Sequence, residues 1–298
     1  LATSPAARQT AAPLPVPAPG PGPGPGPEQG PEQGGPAGGG LPASACAAPE
    51  TAPVLLAVEG LLKRYEAGEP VLRDIGFRLQ AGEAVALIGA NGSGKSTLLH
   101  CCTRLIEPSA GRIELLGEEI AGLSRRGLRR LRARVGLVSQ RHNLVGRLPV
   151  LSNVLHGALA RDGGPRHWRQ AFASRAAREE ALYWLEQVGL ADFAARRADR
   201  LSGGQSQRVA IARALMQRPA RLMADEPVAS LDPQAGEEVM ALFAELARDH
   251  GLTLFFTTHH LQHALDYGGR VLALKRGLLA LDAASGTLRA EELRGLYV

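Results

Sequence analysis

The chain has 298 residues, a formal net charge of +5 and 45% hydrophobic side chains, enough apolar material for a sizeable core. No run of about 18 consecutive apolar residues occurs, so no membrane span is expected, and Cys46, Cys101 and Cys102 are too few and too badly spaced for a disulfide framework or a zinc site, which points to a reducing cytoplasm. The mild basic excess suits polyanions such as nucleotides and lipid surfaces without arguing for nucleic acid.

Residues 1–53 hold 14 of the 21 prolines and 10 of the 36 glycines, in runs such as "PGPGPGPEQG". Such a segment cannot bury enough apolar surface to offset its ordering entropy, so a disordered leader is expected there, and a start this rich in proline is a poor signal peptide. The pattern changes at Val54, and residues 54–298 read as one α/β domain. "VLLAVEG" and "VLRDIGFRL" read as strands, the second alternating as a half-buried antiparallel strand does. "EAVALIG" is a continuous apolar run that fits a strand buried on both faces, and "KSTLLHCCTRLI" follows as a helix. In that helix Cys101 and Cys102 read as small core fillers. The arginines 125, 126, 129, 130, 132 and 134 read as one solvated helix. "VGLVSQ" is a further buried strand. Residues 149–217, approximately, are helical almost throughout, with breaks at "DGGPR" and near "VGLADF". "RLMADEP" returns to a buried strand, "PQAGEEVMALFAELARDHG" is a helix closed by Gly251, "LTLFFTTHH" is a strand, and "GRVLALKRGLLAL" is a hairpin. Alternating strands and helices with an all-helical insertion predict a parallel-sheet α/β core carrying a helical lobe.

"GANGSGKST" spans Gly89, Ala90, Asn91, Gly92, Ser93, Gly94, Lys95, Ser96 and Thr97 and fits the phosphate-loop pattern between a buried strand and a helix. Its glycines let backbone N–H groups wrap phosphates, and the positive end of the following helix favours their charge. In that frame Lys95 reaches the β- and γ-phosphates and Ser96 is a Mg²⁺ ligand. "RLMADEP" supplies the partner: Asp225 ends an apolar strand, where it would orient Mg²⁺, and Glu226 beside it is placed to act as general base for an attacking water. These two motifs leave open which nucleotide hydrolase this is.

"LSGGQ", starting at Leu201, resembles the signature of the ATP-binding cassette (ABC) family. The phosphate loop at Gly89, Gln140 after a strand, "ADEP" at Ala224, "SLD" at Ser230 and "TTHH" at Thr257 accompany it in the family's order. The resemblance covers nearly everything from Val54 onward. It implies a P-loop ABC-type core with an antiparallel β subdomain and an α-helical subdomain. It also implies ATP and Mg²⁺ as the bound groups, and a head-to-tail dimer with a second copy of the chain. Ser202, Gly203, Gly204 and Gln205 then cap the ATP held by the other copy, as a helix start with exposed N–H groups can. By the same resemblance Tyr65 stacks on adenine, Gln140 contacts Mg²⁺ and the water, Asp232 bridges the two subunits and also suits a helix N-cap, and His259 holds the γ-phosphate. The expected catalytic set is therefore Glu226, His259, Gln140 and Lys95, with Ser96, Gln140 and Asp225 on the metal. Ser206 and His260 depart from the family pattern, where glutamine and an acidic residue or glutamine respectively are frequent.

One cassette without a membrane span looks like a separate ATPase subunit that docks on integral membrane permeases at the cytoplasmic side of the cell membrane. The stretches from Asn143 to Arg161 and from Ala198 to Pro233 resemble the ATPases of phosphonate importers, which implies phosphonate or a related phosphorus oxyanion as cargo, with a periplasmic binding protein as an indirect partner and no nucleic acid. The alternatives are a cassette ATPase of an exporter, of lipoprotein release or of cell division, or a non-transport ATPase suggested by the arginine cluster. The composition of residues 1–53 assigns them no role; if they are an appendage, their removal leaves folding and ATPase activity intact, which circular dichroism and a phosphate-release assay on the shortened chain would check.

Overall fold

The computed structural model describes residues 52–66, 68–162 and 170–295. The expected leader therefore lies outside the described residues except for Ala52 and Pro53, and most of the expected break at "DGGPR" lies outside them too.

In chain order the elements are β1 (Val54–Arg64), β2 (Pro70–Gln80), β3 (Ala84–Ile88), α1 (Lys95–Cys102), β4 (Ala110–Leu115), β5 (Glu118–Glu119), α2 (Arg125–Arg132), β6 (Val135–Ser139), α3 (Val150–Leu155), α4 (Leu159–Asp162), α5 (Arg175–Gln187), α6 (Gly203–Met216), β7 (Arg221–Asp225), α7 (Pro233–Asp249), β8 (Thr253–Thr257), α8 (Leu261–Tyr267), β9 (Arg270–Lys275), β10 (Leu278–Ala284) and α9 (Ala290–Arg294). They build two sheets. An antiparallel four-stranded sheet has the order β2-β1-β4-β5, and a six-stranded sheet has the order β10-β9-β3-β8-β7-β6, parallel except for β10 at its edge.

The continuous apolar runs of β3, β7 and β8 are explained by burial on both faces. Val85, Leu87, Met223 and Phe255 face a layer shared with α1 and the antiparallel sheet, where Leu56, Ile75, Leu79, Leu98 and Leu99 also pack. Alternate residues of the same strands, Ala86, Ile88, Ala224 and Phe256, face the opposite layer against α3, α5, α6, α7 and α8. Cys101 and Cys102 are free, fully buried thiols in the first of these layers, as expected of core fillers.

Several elements depart from the sequence expectation. Helix α1 stops at Cys102 instead of continuing to Ile106, because Arg104 takes φ 51° and the amides of Leu105 and Ile106 turn back onto the carbonyl of His100. Strand β8 ends at Thr257, so Thr258, His259 and His260 lie off the sheet, with His260 capping α8. The short strands β4 and β5 and the helices α8 and α9 were not legible. On α2, Arg125, Arg126, Arg129 and Arg130 are exposed as expected, but Arg132 donates to the carbonyls of Thr103 (2.9 Å) and Arg104 and so ties α2 to the end of α1.

One side chain of β7 breaks the apolar pattern. Arg221 is fully buried, and among the described residues none of its three guanidinium nitrogens has a hydrogen-bond partner. Burial pushes its guanidinium down to about 10. A buried cation without compensation is destabilising, and replacing such groups by apolar ones of similar size stabilises. Arg221→Leu is expected to raise the stability to urea by about 1–4 kcal/mol; an unchanged or lowered unfolding midpoint would contradict the unpaired assignment.

Candidate active site

The site forms where the carboxyl ends of β3, β8 and β7 meet. Strand β3 leads directly into the turn Gly89–Gly94, in which Gly89, Gly92 and Gly94 have φ of 151°, 79° and 105°. At Gly89 the requirement is doubled, since a Cβ there would stand 2.4 Å from the carbonyl oxygen of Leu274. The turn delivers the chain into α1 with Gly94 as N-cap and no side chain over the helix start, leaving first-turn N–H groups available to an anion. Ala90 and Asn91 line the outer part of the turn, and Asn91 is exposed. Ser93 is buried, and its Oγ has no hydrogen-bond partner among the described residues.

Lys95, 5% exposed, folds over the turn: its Nζ donates to the carbonyls of Gly89 (2.9 Å) and Ala90 (3.3 Å) and lies 3.3 Å from Glu226 Oε1. Asp225 Oδ1 accepts two hydroxyl hydrogen bonds, from Ser96 Oγ on α1 and Thr257 Oγ1 on β8, each at 2.9 Å. Thr257 Oγ1 also accepts the backbone N–H of Glu226 at 2.8 Å. That bond helps hold Glu226 in the left-handed region, φ 46°, a strained conformation for a side chain with a Cβ. The Glu226 carboxylate is shared between Lys95 and His259, whose Nδ1 is 3.5 Å from Oε2. His100 Nε2 lies 3.9 Å from Asp225 Oδ2.

Lys95, Ser96, Asp225, Glu226 and His259 are thus brought together. Gln140 follows β6, where Ser139 pairs with Asp225, so it stands at the same sheet edge, exposed and without a hydrogen bond to the others. Tyr65 is 45% exposed beside α1, with its hydroxyl 3.5 Å from Thr97 Oγ1 and Lys63 Nζ 4.8 Å over its ring.

The second helix start is built separately. Ser202 is the N-cap of α6 in a capping box: its Oγ accepts from the Gln205 N–H at 3.3 Å and the Gln205 side chain accepts from the Ser202 N–H at 3.1 Å. Gly203 and Gly204, the first two helical residues, keep N–H groups without helical partners. Beside them Asp232 caps α7 by accepting from the Ala235 N–H at 2.9 Å, and Leu231 stands 3.1 Å from where a Cβ on Gly203 would lie. Among the described residues no hydrogen bond or ion pair joins residues 201–206 to residues 89–97.

Three contributors escaped the sequence reading. Thr257 had a signal, a hydroxyl closing an apolar strand next to "THH". His100 had none beyond its place on α1. Arg213 on α6 donates to the carbonyls of Asn143 (2.7 Å) and His142 (2.8 Å), tying the segment after Gln140 to the signature helix, and nothing local marks it. Thr257→Val keeps the shape but strips the Glu226 N–H of its acceptor and Asp225 of a donor. It is expected to cost about 1–3 kcal/mol in urea unfolding and to lower any turnover at the site; a wild-type midpoint would remove Thr257 from the site.

Comparison with known proteins adds the context. A family model described as "ABC transporter" matches residues 72–229. A phosphonates import ATP-binding protein PhnC of Stutzerimonas stutzeri is 47% identical over 252 residues, covering 81% of this chain and 89% of that protein. The protein of the same name from Alcaligenes faecalis is 42% identical over 243 residues, covering 82% and 88%. Among solved structures, the dimeric post-hydrolysis state of the ATP-binding cassette MJ0796 bound to ADP and Pi is 32% identical, covers 77% of this chain and 98% of its own, and has a TM-score of 0.68. The structure of cbiO1 from Clostridium perfringens, part of the ABC transporter complex cbiONQ, is 31% identical, covers 80% and 92%, and has a TM-score of 0.70.

Proposed function

The chain belongs to the ABC transporter family, and on that premise we propose that it is the ATP-hydrolysing subunit of an importer for phosphonate or a related phosphorus oxyanion. The observation that carries the ATPase reading is the meeting of Lys95, Ser96, Asp225, Glu226 and His259 at one sheet edge. The cargo is supported by the names and identities of the relatives.

In this reading Gly89–Gly94 and the start of α1 hold the phosphates of ATP by their N–H groups, Lys95 Nζ and Thr97 add contacts, and Tyr65 stacks on the adenine. Ser96 Oγ, the Asp225 carboxylate and the Gln140 amide are hard oxygen donors, and the convergence of hydroxyls on Asp225 Oδ1 fits a site for Mg²⁺. The cation, when bound, neutralises charge on the phosphate oxygens. Glu226 takes the proton of the attacking water at a carboxylate oxygen, and its strained backbone, tied to Thr257, sets where that oxygen points. His259 orients the water and the γ-phosphate from the other side of Glu226.

The start of α6 serves the second copy. Ser202, Gly203, Gly204 and Gln205 offer N–H groups and a hydroxyl at a helix N-terminus, and in a head-to-tail dimer they close over the ATP of the partner, with Asp232 beside them at the interface. The dimeric cassette bound to ADP and Pi supports this arrangement. The helical region of about 149–217 and the segment from Asn143 to Arg161 form the docking side for the permeases, and Arg213 carries their movement to α6. The subunit works at the cytoplasmic face of the membrane, with a periplasmic binding protein delivering cargo from the other side. Among the described residues no helix is long and apolar enough to cross a membrane.

Glu226→Gln is expected to lower ATP turnover by about 10²–10⁴-fold while an ATP-bound dimer accumulates in gel filtration with light scattering. Full turnover in that variant, or a protein that stays monomeric with ATP, would overturn the assignment. The cargo is tested separately: cells lacking the gene should lose growth on a phosphonate as the phosphorus source and keep it on phosphate.

A further inference from the structure

A row of side chains outside the phosphate cradle leads into it. Tyr267 on α8 donates to Oε1 of Glu237 on α7, and Glu237 Oε2 lies 3.0 Å from Nε2 of His263. The His263 ring centre is 4.9 Å from that of His260, and the His260 ring is 4.2 Å from that of His259 with the planes inclined by 37°. His259 Nδ1 then faces Glu226 Oε2 at 3.5 Å. One end of the row is anchored, since His263 is 8% exposed between α7 and α8. At the other end His259 and His260 are exposed, where an imidazole is free to turn unless something holds it.

His260 is suited to hold it. Its backbone is set by the N–H bond to Thr258 Oγ1 at 3.0 Å and by its place as N-cap of α8. The titratable groups around its ring are His259 in the same loop, His263 on α8, Glu226 after β7 and Glu237 on α7. Burial first, then His259 and His263, holds the His260 imidazole below the ordinary histidine range, so that near neutral pH it meets His259 as an uncharged ring. An uncharged flat surface limits the rotation of a neighbouring ring by contact and sets no like charge beside it.

We propose that His260 is a positioning residue for ATP hydrolysis: its ring, braced from behind by His263 and Glu237, keeps the His259 imidazole turned with Nδ1 toward Glu226. This rests on the ATPase reading above and adds to it a residue that acts only through His259. A small misplacement of a reacting group lowers the rate of the chemical step and leaves ground-state binding largely intact.

The test uses the full chain carrying His260→Ala, His260→Ser or His260→Phe, with kcat and KM for Mg-ATP measured separately and thermal midpoints recorded. His260→Ala and His260→Ser should lower kcat about tenfold with KM kept within about a factor of two, and His260→Phe, which restores a flat ring, should recover at least about half of the wild-type kcat. An undiminished kcat in His260→Ala, an equal loss in His260→Phe, or a change confined to KM would each overturn the proposal. Should His260→Ala fail to fold, the comparison of His260→Ser with His260→Phe decides by the same criteria. A wild-type chain without turnover overturns the ATPase reading and this inference together; wild-type turnover with any of the adverse outcomes overturns the inference alone.

Discussion

Two hydroxyl hydrogen bonds to a single carboxylate oxygen organise this molecule. Ser96 reaches Asp225 Oδ1 from the helix after the phosphate turn, and Thr257 reaches it from the strand between β3 and β7. Three chain segments far apart in sequence are thereby locked at one sheet edge, and the locking depends on strand order. Because β8 lies between β3 and β7, Thr257 has Leu87 on one side and Asp225 on the other, and its hydroxyl can serve both Asp225 and the backbone of Glu226. In a buried setting such a shared hydroxyl leaves little slack, since each group would be costly to leave unmade.

Glu226 shows what that rigidity is used for. A glutamate at φ 46° is held against its own preference, and it persists because its N–H, its side chain and the following turn are all engaged: Thr257, Lys95 and His259, and the Ala229 N–H on its carbonyl. The strain falls on the residue directly after β7, whose carboxylate is the proposed general base, while β7 itself is buried strand. Arg221 at the opposite end of the same strand is the exception, a buried cation without a hydrogen-bond partner among the described residues.

The helical side of the molecule carries the second half of the proposed reaction, and it is connected to the first through backbone. Arg213 grips the carbonyls of His142 and Asn143, and Gln217, just past the end of α6, donates to the carbonyls of Arg132 and Val135 at the start of β6. Arg208 on α6 also pairs with Glu238 on α7 at 3.0 Å. Helix α6 therefore reports on the segment after Gln140 at one end and on the Asp232 cap at the other. In the proposed function, a helix fastened at both ends is the physical route by which movement at the docking side would reach the helix start at Ser202.

What the amino-acid sequence determined by itself was a set of features whose causes are local. The two-faced apolar runs, the glycine turn entering α1, the helix start at Ser202 and the Asp232 cap each involve neighbours a few residues apart, so spacing and residue type suffice to read them, and the α/β class follows from the alternation of strands and helices. The tertiary structure alone decided which of these local pieces would touch. Ser96 and Asp225 are 129 residues apart, Arg213 and Asn143 are 70 apart, and Thr257 meets Asp225 across 32. The Ser96–Asp225 and Thr257–Asp225 meetings depend on the strand order β3-β8-β7, and periodicity along a chain carries no information about which strand will lie beside which.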